Sequence, residues 1–132
     1  MADTVITPEV QKDEITFANQ SLMPVLITGE YVNDDVLYHS MIFRTAGKSR
    51  LTYCVNNLSD QDVVVTLYGS DSATGEVGDA GVFLIPALLT AAAANKGYQT
   101  TDDGFLYYII RCKSAVAGDD KIVSIYAHLM PL

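Results

Sequence analysis

The sequence predicts an all-β domain, an antiparallel β-sandwich or jelly-roll-like fold with one short helix near residues 87–96. Three observations predict it. Short strand-like runs follow one another along 132 residues, turn signals rich in Asn, Asp and Gly separate them, and Val, Ile, Thr and Tyr fill them. The clearest are LTYCVNNLSDQDVVVTLYGS (Leu51–Ser70) and FLYYIIRCKSAVAGDDKIVSIYAHL (Phe105–Leu129), each reading as strand, turn and strand.

Residues 1–12 contain Pro8 and only isolated aliphatics, the pattern of an extended arm that either frays or is pinned on a neighbour. The remainder, 13–132, reads as a single β-sandwich domain. Strand-like runs cover Glu14–Ala18, Met23–Glu30, Val36–Arg44, Arg50–Asn56, Asp62–Gly69, Gly81–Ile85, Phe105–Lys113 and Lys121–Leu129. Turns at Asn33–Asp35, Asn56–Asp60, Asp102–Gly104 and Gly118–Asp120 have a mechanism. Asn and Asp side chains bond their own backbone, and Gly accepts positive φ.

Alternation assigns faces. In the last run Val123, Ile125, Ala127 and Leu129 form an apolar face, opposite Ile122, Ser124, Tyr126 and His128. The preceding run is apolar on both faces, as is Val63–Val65, which places both strands inside a sheet. ALLTAAAANK, residues 87–96, has the composition of a helix, with Pro86 at its start and Gly97 just past its end. The segment Ser70–Ala80 is long, small-residue and acidic, the composition of an exposed loop.

Composition bounds the function. A chain of this size folds as one domain and removes roughly two-thirds of its unfolded surface from water. The hydrophobic fraction of 49% and charged fraction of 18% are those of a globular chain. Sixteen acidic against eight basic residues give a net charge of −8, which repels nucleic acid and anionic membranes. Arg44, Lys48 and Arg50 form a small basic run that either solvates strand ends or touches a phosphate or an acidic partner. The first residues lack the basic and apolar regions of a secretory signal, so synthesis in a cytosol is expected. Cys54 and Cys112 lie in apolar runs and read as buried free thiols.

Catalytic chemistry is sparse, and neither an enzyme nor a cofactor is expected. His39 and His128 stand at no metal-ligand spacing. Thr45–Ser49 ends like a phosphate-binding loop, but Ile42 stands where that motif requires Gly. The paired acids Asp34–Asp35, Asp102–Asp103 and Asp119–Asp120 follow no EF-hand spacing and read as turn formers before they read as a calcium site. Tyr31, Tyr53, Tyr68, Tyr98, Tyr107 and Tyr126 either pack across strands or build an aromatic surface for a sugar or a protein.

Taken together, the arm MADTVITPEV, the hairpin YCVNNLSDQDVVVTLYGSDSATG, the Ala/Gly-rich middle and the closing strands FLYYIIRC and KIVSIYAHL resemble the small, acidic, all-β capsid decoration (cement) proteins of tailed bacteriophages. The resemblance is one of style and carries no diagnostic motif, so it transfers no binding residue by position. It implies a non-enzymatic virion structural protein, a homotrimer on the capsid exterior that binds and stabilises adjacent major capsid protein subunits after assembly in the host cytoplasm. Candidate contacts are Val5, Ile6 and Val10 on the arm and Arg44, Lys48 and Arg50 in the basic run. The alternatives are a carbohydrate-binding or adhesin-like β-sandwich and a phage tail or baseplate component.

Overall fold

A computed structural model describes residues 3–12, 25–45, 50–118 and 121–130. Its strands are β1 (Thr4–Val5), β2 (Glu9–Lys12), β3 (Val25–Val32), β4 (His39–Arg44), β5 (Arg50–Asn57), β6 (Val63–Ser70), β7 (Val82–Ala91), β8 (Lys96–Thr101), β9 (Tyr107–Ser114) and β10 (Ile122–Met130). They form two five-stranded sheets, β1-β4-β9-β6-β7 and β2-β3-β10-β5-β8. The pairs β3·β10, β4·β9, β5·β8 and β6·β7 are nested like the rungs of one long hairpin and are divided between the two sheets. That arrangement is a jelly roll, within the sandwich or jelly-roll class that the run of short strands predicts.

The core lies between the sheets. Every second residue of β10 (Val123, Ile125, Ala127, Leu129) faces it and is at most 1% exposed, as are Leu51, Tyr53 and Val55 of β5 and Val63, Val65 and Leu67 of β6. Both strands read as internal, β9 and β6, lie inside the first sheet. Phe105 closes one end of the core. It packs edge-on against Tyr108 and against the backbone of Gly69, where a Cβ would come within 2.2 Å of its ring.

The opposite end is sealed by hydrogen bonds. Asn33, Asn57, Ser59 and Ser114 are each at most 1% exposed. Ser114 Oγ donates to Asn33 Oδ1 (2.9 Å), Asn33 Nδ2 donates to Ser59 Oγ (2.8 Å), and Ser59 Oγ lies 2.6 Å from Asn57 Oδ1. Asn57 Nδ2 donates to the carbonyls of Gln61 (2.7 Å) and Ala91 (2.9 Å). Gly118 N donates to Asn33 O, and Ala94 N to Ser59 O. One network thus ties together all four loops at this end, which satisfies polar groups that burial would otherwise penalise.

Two expectations are corrected. Residues 87–96 form no helix: Ala87–Ala91 continue β7, Ala92–Asn95 turn, and Lys96 opens β8. Ala94 takes φ +58°, a left-handed turn conformation. Helix propensity is worth tenths of a kcal/mol per residue, and a ten-residue helix is marginal alone, so pairing with β6 and burial of Ala91 override it. Pro86 marks a bulge and not a helix start. Leu67 pairs with Ile85 while Thr66 pairs with Leu88, which leaves Pro86 and Ala87 outside the ladder, where a missing N–H costs nothing.

The arm is also different. It is neither frayed nor reserved for a neighbour, because β1 pairs in parallel with β4 and β2 pairs antiparallel with β3. Ile6, between them, is 5% exposed and belongs to the core. Gly29 makes room for it: a Cβ there would meet Met41 Sδ at 2.6 Å and Ile6 Cγ2 at 2.9 Å. Asp3 locks the start of the arm with two bonds from Arg111, Nε to Oδ2 (2.8 Å) and Nη2 to Oδ1 (3.1 Å). The run Glu14–Ala18 lies outside the described residues.

Candidate functional site

The candidate contacts scatter over the fold. Val5 is exposed on β1, whereas Ile6 is buried and offers nothing to a partner. Val10 pairs with Ile27 through β2. Arg44 ends β4 with its side chain exposed, Lys48 lies outside the described residues, and Arg50 opens β5 with its charge met by Asp102 (Nε to Oδ1, 3.0 Å). Val5 and Arg44 thus lie on strands of the first sheet and Arg50 on the second.

The tyrosines divide. Tyr31 and Tyr53 are core residues, while Tyr98 and Tyr126 are exposed on the outer face of the second sheet. The cysteines divide too. Cys112 is buried between the sheets, whereas Cys54 is half-buried on an outward face of β5, and both are free. Asp35 bonds its own turn, accepting from Leu37 N, and Asp79 likewise accepts from Glu76 N, whereas Asp62 accepts from Ala93 N of another loop and Asp102 from Arg50 Nε. Among the described residues, no three His, Cys, Asp or Glu side chains converge as a metal site, and no helix is long and apolar enough to cross a membrane.

One constellation was invisible in the linear sequence. His39 and Cys112 are cross-strand partners facing the core, and Asp35 Oδ1 lies 2.9 Å from His39 Nε2. The residue types are those of a thiol triad, but the environment is wrong for one. Burial pushes the Cys112 thiol up to about 12, so it stays protonated. His39 Nδ1 has no hydrogen-bond partner, and its ring instead stacks on Tyr31 at 4.0 Å between centroids. The group works as packing.

The acidic loop 71–81 folds across the outer face of the first sheet. Its residues Thr74, Glu76 and Val77 line a cavity of about 320 Å³ with Ile42, Ile109 and Arg111. Asp3 also lines it and already occupies the Arg111 guanidinium.

The feature that stands out is β7. This ten-residue edge strand, VFLIPALLTA, carries no charged residue, although the chain as a whole is strongly acidic. Phe83, Leu84 and Leu88 are 51%, 59% and 63% exposed, and Val64 on the neighbouring β6 is 41% exposed. Leu84 pairs with Tyr68 and Leu88 with Thr66, so both leucines share the outer face with Val64. Single exposed apolar side chains are ordinary, but several on one uncharged edge mark a contact surface. It is not a free template for strand addition. The Pro86–Ala87 bulge interrupts the edge, and Gln99 Nε2 already donates to Leu88 O (3.1 Å).

No family model matches the chain. No curated protein matches it either. Solved structures match the fold: PirA (9% identity, 78% of this chain and 92% of that chain, TM-score 0.52), the SPBc2 prophage-derived protein YomS (12%, 92% and 93%, TM-score 0.47) and TmCBM61 in complex with β-1,4-galactotriose (11%, 93% and 88%, TM-score 0.48). At such identities the likeness concerns the β-sandwich alone.

Proposed function

We propose that the protein is a non-enzymatic structural protein of a virion, a capsid decoration protein whose copies associate through the β7 edge and whose trimer sits on the shell, bridging major capsid protein subunits. The β7 edge carries the reading. Two copies with a net charge of −8 each repel one another over most approaches. The strand β7 itself carries no carboxylate, and burial of Leu84, Leu88 and Val64, which share one face, drives contact at roughly 25 cal/mol per Å² of apolar surface. Because the bulge blocks strand addition, the contact is side-chain packing.

The resemblance to cement proteins supplies the partner and the place, the capsid exterior. A protein that binds only the assembled lattice stabilises it by mass action, about 2.7 kcal/mol per site at a hundredfold excess over Kd. Exposed Arg44 remains a candidate contact with the shell. The test is co-sedimentation with undecorated shells of the parent virus. The wild-type protein is expected to pellet with shells and raise their melting temperature, and Leu84→Asp/Leu88→Asp to do neither. A wild-type protein that stays in the supernatant at every concentration overturns the proposal.

A further inference from the structure

The second sheet presents a surface of different chemistry from β7, on the far side of the sandwich. One register row crosses all five of its strands: Glu9 on β2, Thr28 on β3, Tyr126 on β10, Cys54 on β5 and Tyr98 on β8. The neighbours of Tyr126 along β10 (Ile125, Ala127) face the core, so the row faces outward. A parallel row holds Glu30, Ser124, Asn56 and Lys96. Thr28, Glu30, Ser124 and Tyr126 meet Thr7 and Glu9 around an open cavity of about 560 Å³, within the range of small-molecule sites.

We propose that this cleft binds a neutral saccharide, with the ring of Tyr126 as platform and the carboxylates of Glu9 and Glu30 as hydrogen-bond acceptors. The residue types fit that ligand class and few others. A sugar ring has an apolar C–H face and a rim of hydroxyls. Tyr126 and Tyr98 are 39% and 71% exposed and offer flat apolar faces that lose little conformational freedom on binding. They stand two strands apart, about 9.6 Å at ordinary strand spacing, with the small Cys54 between them in the row. Two platforms at that separation suit an oligosaccharide better than a single ring. Glu9 and Glu30 are exposed, and among the described residues neither has a hydrogen bond or an ion pair, so both are free to accept from ligand hydroxyls. Thr7, Thr28 and Ser124 add hydroxyls that donate or accept. The same two carboxylates reject sialylated and uronate-containing glycans by like-charge repulsion.

The proposal is independent of docking through β7, and its test separates the two. The full chain is applied to a glycan array containing neutral, sialylated and uronate oligosaccharides, and the strongest neutral ligand is then titrated by calorimetry with and without chelator. Wild-type protein is expected to bind neutral glycans only, unaffected by chelator. Tyr126→Ala and Glu30→Gln, both exposed positions, are each expected to weaken binding by about tenfold or more with an unchanged circular dichroism spectrum. Leu84→Asp/Leu88→Asp is expected to keep glycan binding while losing assembly. No neutral glycan bound by the wild type, equal binding of acidic glycans, or affinity unchanged in both cleft variants overturns the proposal.

Discussion

At the scale of single residues, the buried polar groups are the most exacting part of this structure. Asn57 satisfies two carbonyls with its amide and accepts from Ser59 N and Oγ with its oxygen. Asn57→Ala strands all of these in the interior, and about 3 kcal/mol of stability is expected to be lost in urea unfolding. Leu58→Ala next to it, an exposed position, is expected to change stability by less than about 0.5 kcal/mol. Cys112 gives a pH signature. Its thiol is held neutral in the folded state up to about 12, whereas an unfolded thiol ionises near pH 8.5. The raised value means that the folded state keeps a proton the unfolded state gives up. The associated stability is complete below about pH 8.5 and is lost as pH rises towards 12. Tyr31 and Tyr53, pushed up chiefly by burial, steepen the loss above about pH 10. Cys112→Ala is expected to flatten the slope between about pH 8 and 9, where the thiol of the unfolded chain titrates and its tyrosines hardly do; an unchanged slope in that window contradicts the assignment.

At the scale of elements, the residues that alternate were legible and those that depend on a distant partner were not. Val123 to Leu129 declared a face because strand alternation is local. Asn57 and Ser59 read as a turn, which they form, but their burial depends on Asn33 and Ser114, which no spacing connects. The helix expected at 87–96 failed because alanine-rich composition is a weak local preference and β6 supplies a ladder. The strand Lys96–Thr101 was missed because KGYQTT lacks an apolar face: as an edge strand with alternating exposure it needs none. The candidate surfaces were missed as wholes, since Glu9 and Tyr98 become neighbours of one row only through three intervening strands. The arm follows the same logic. Thr4 N donates to Tyr38 O and Ile6 N to Ser40 O, so residues 3–6 are part of the sandwich. Ile6→Ala is expected to cost about 2–4 kcal/mol in urea unfolding, and a cost near zero would return the arm to the role of a free tether.

For the molecule as a whole, the jelly roll separates two chemistries onto different surfaces, an uncharged apolar edge at β7 and a polar, tyrosine-bearing face on the second sheet. The first suits attachment to protein, and the second leaves a surface pointing away from it. Net charge keeps copies apart everywhere else, so association is expected to strengthen with salt at constant pH, the opposite of an ion-paired interface. Association by Leu84 and Leu88 is read by light scattering after size exclusion. A mass three times the 14.3 kDa of the chain is expected for the wild type and a monomer for Leu84→Asp/Leu88→Asp. A wild-type protein that remains monomeric across the concentration range, or a double variant that keeps the wild-type mass, contradicts it.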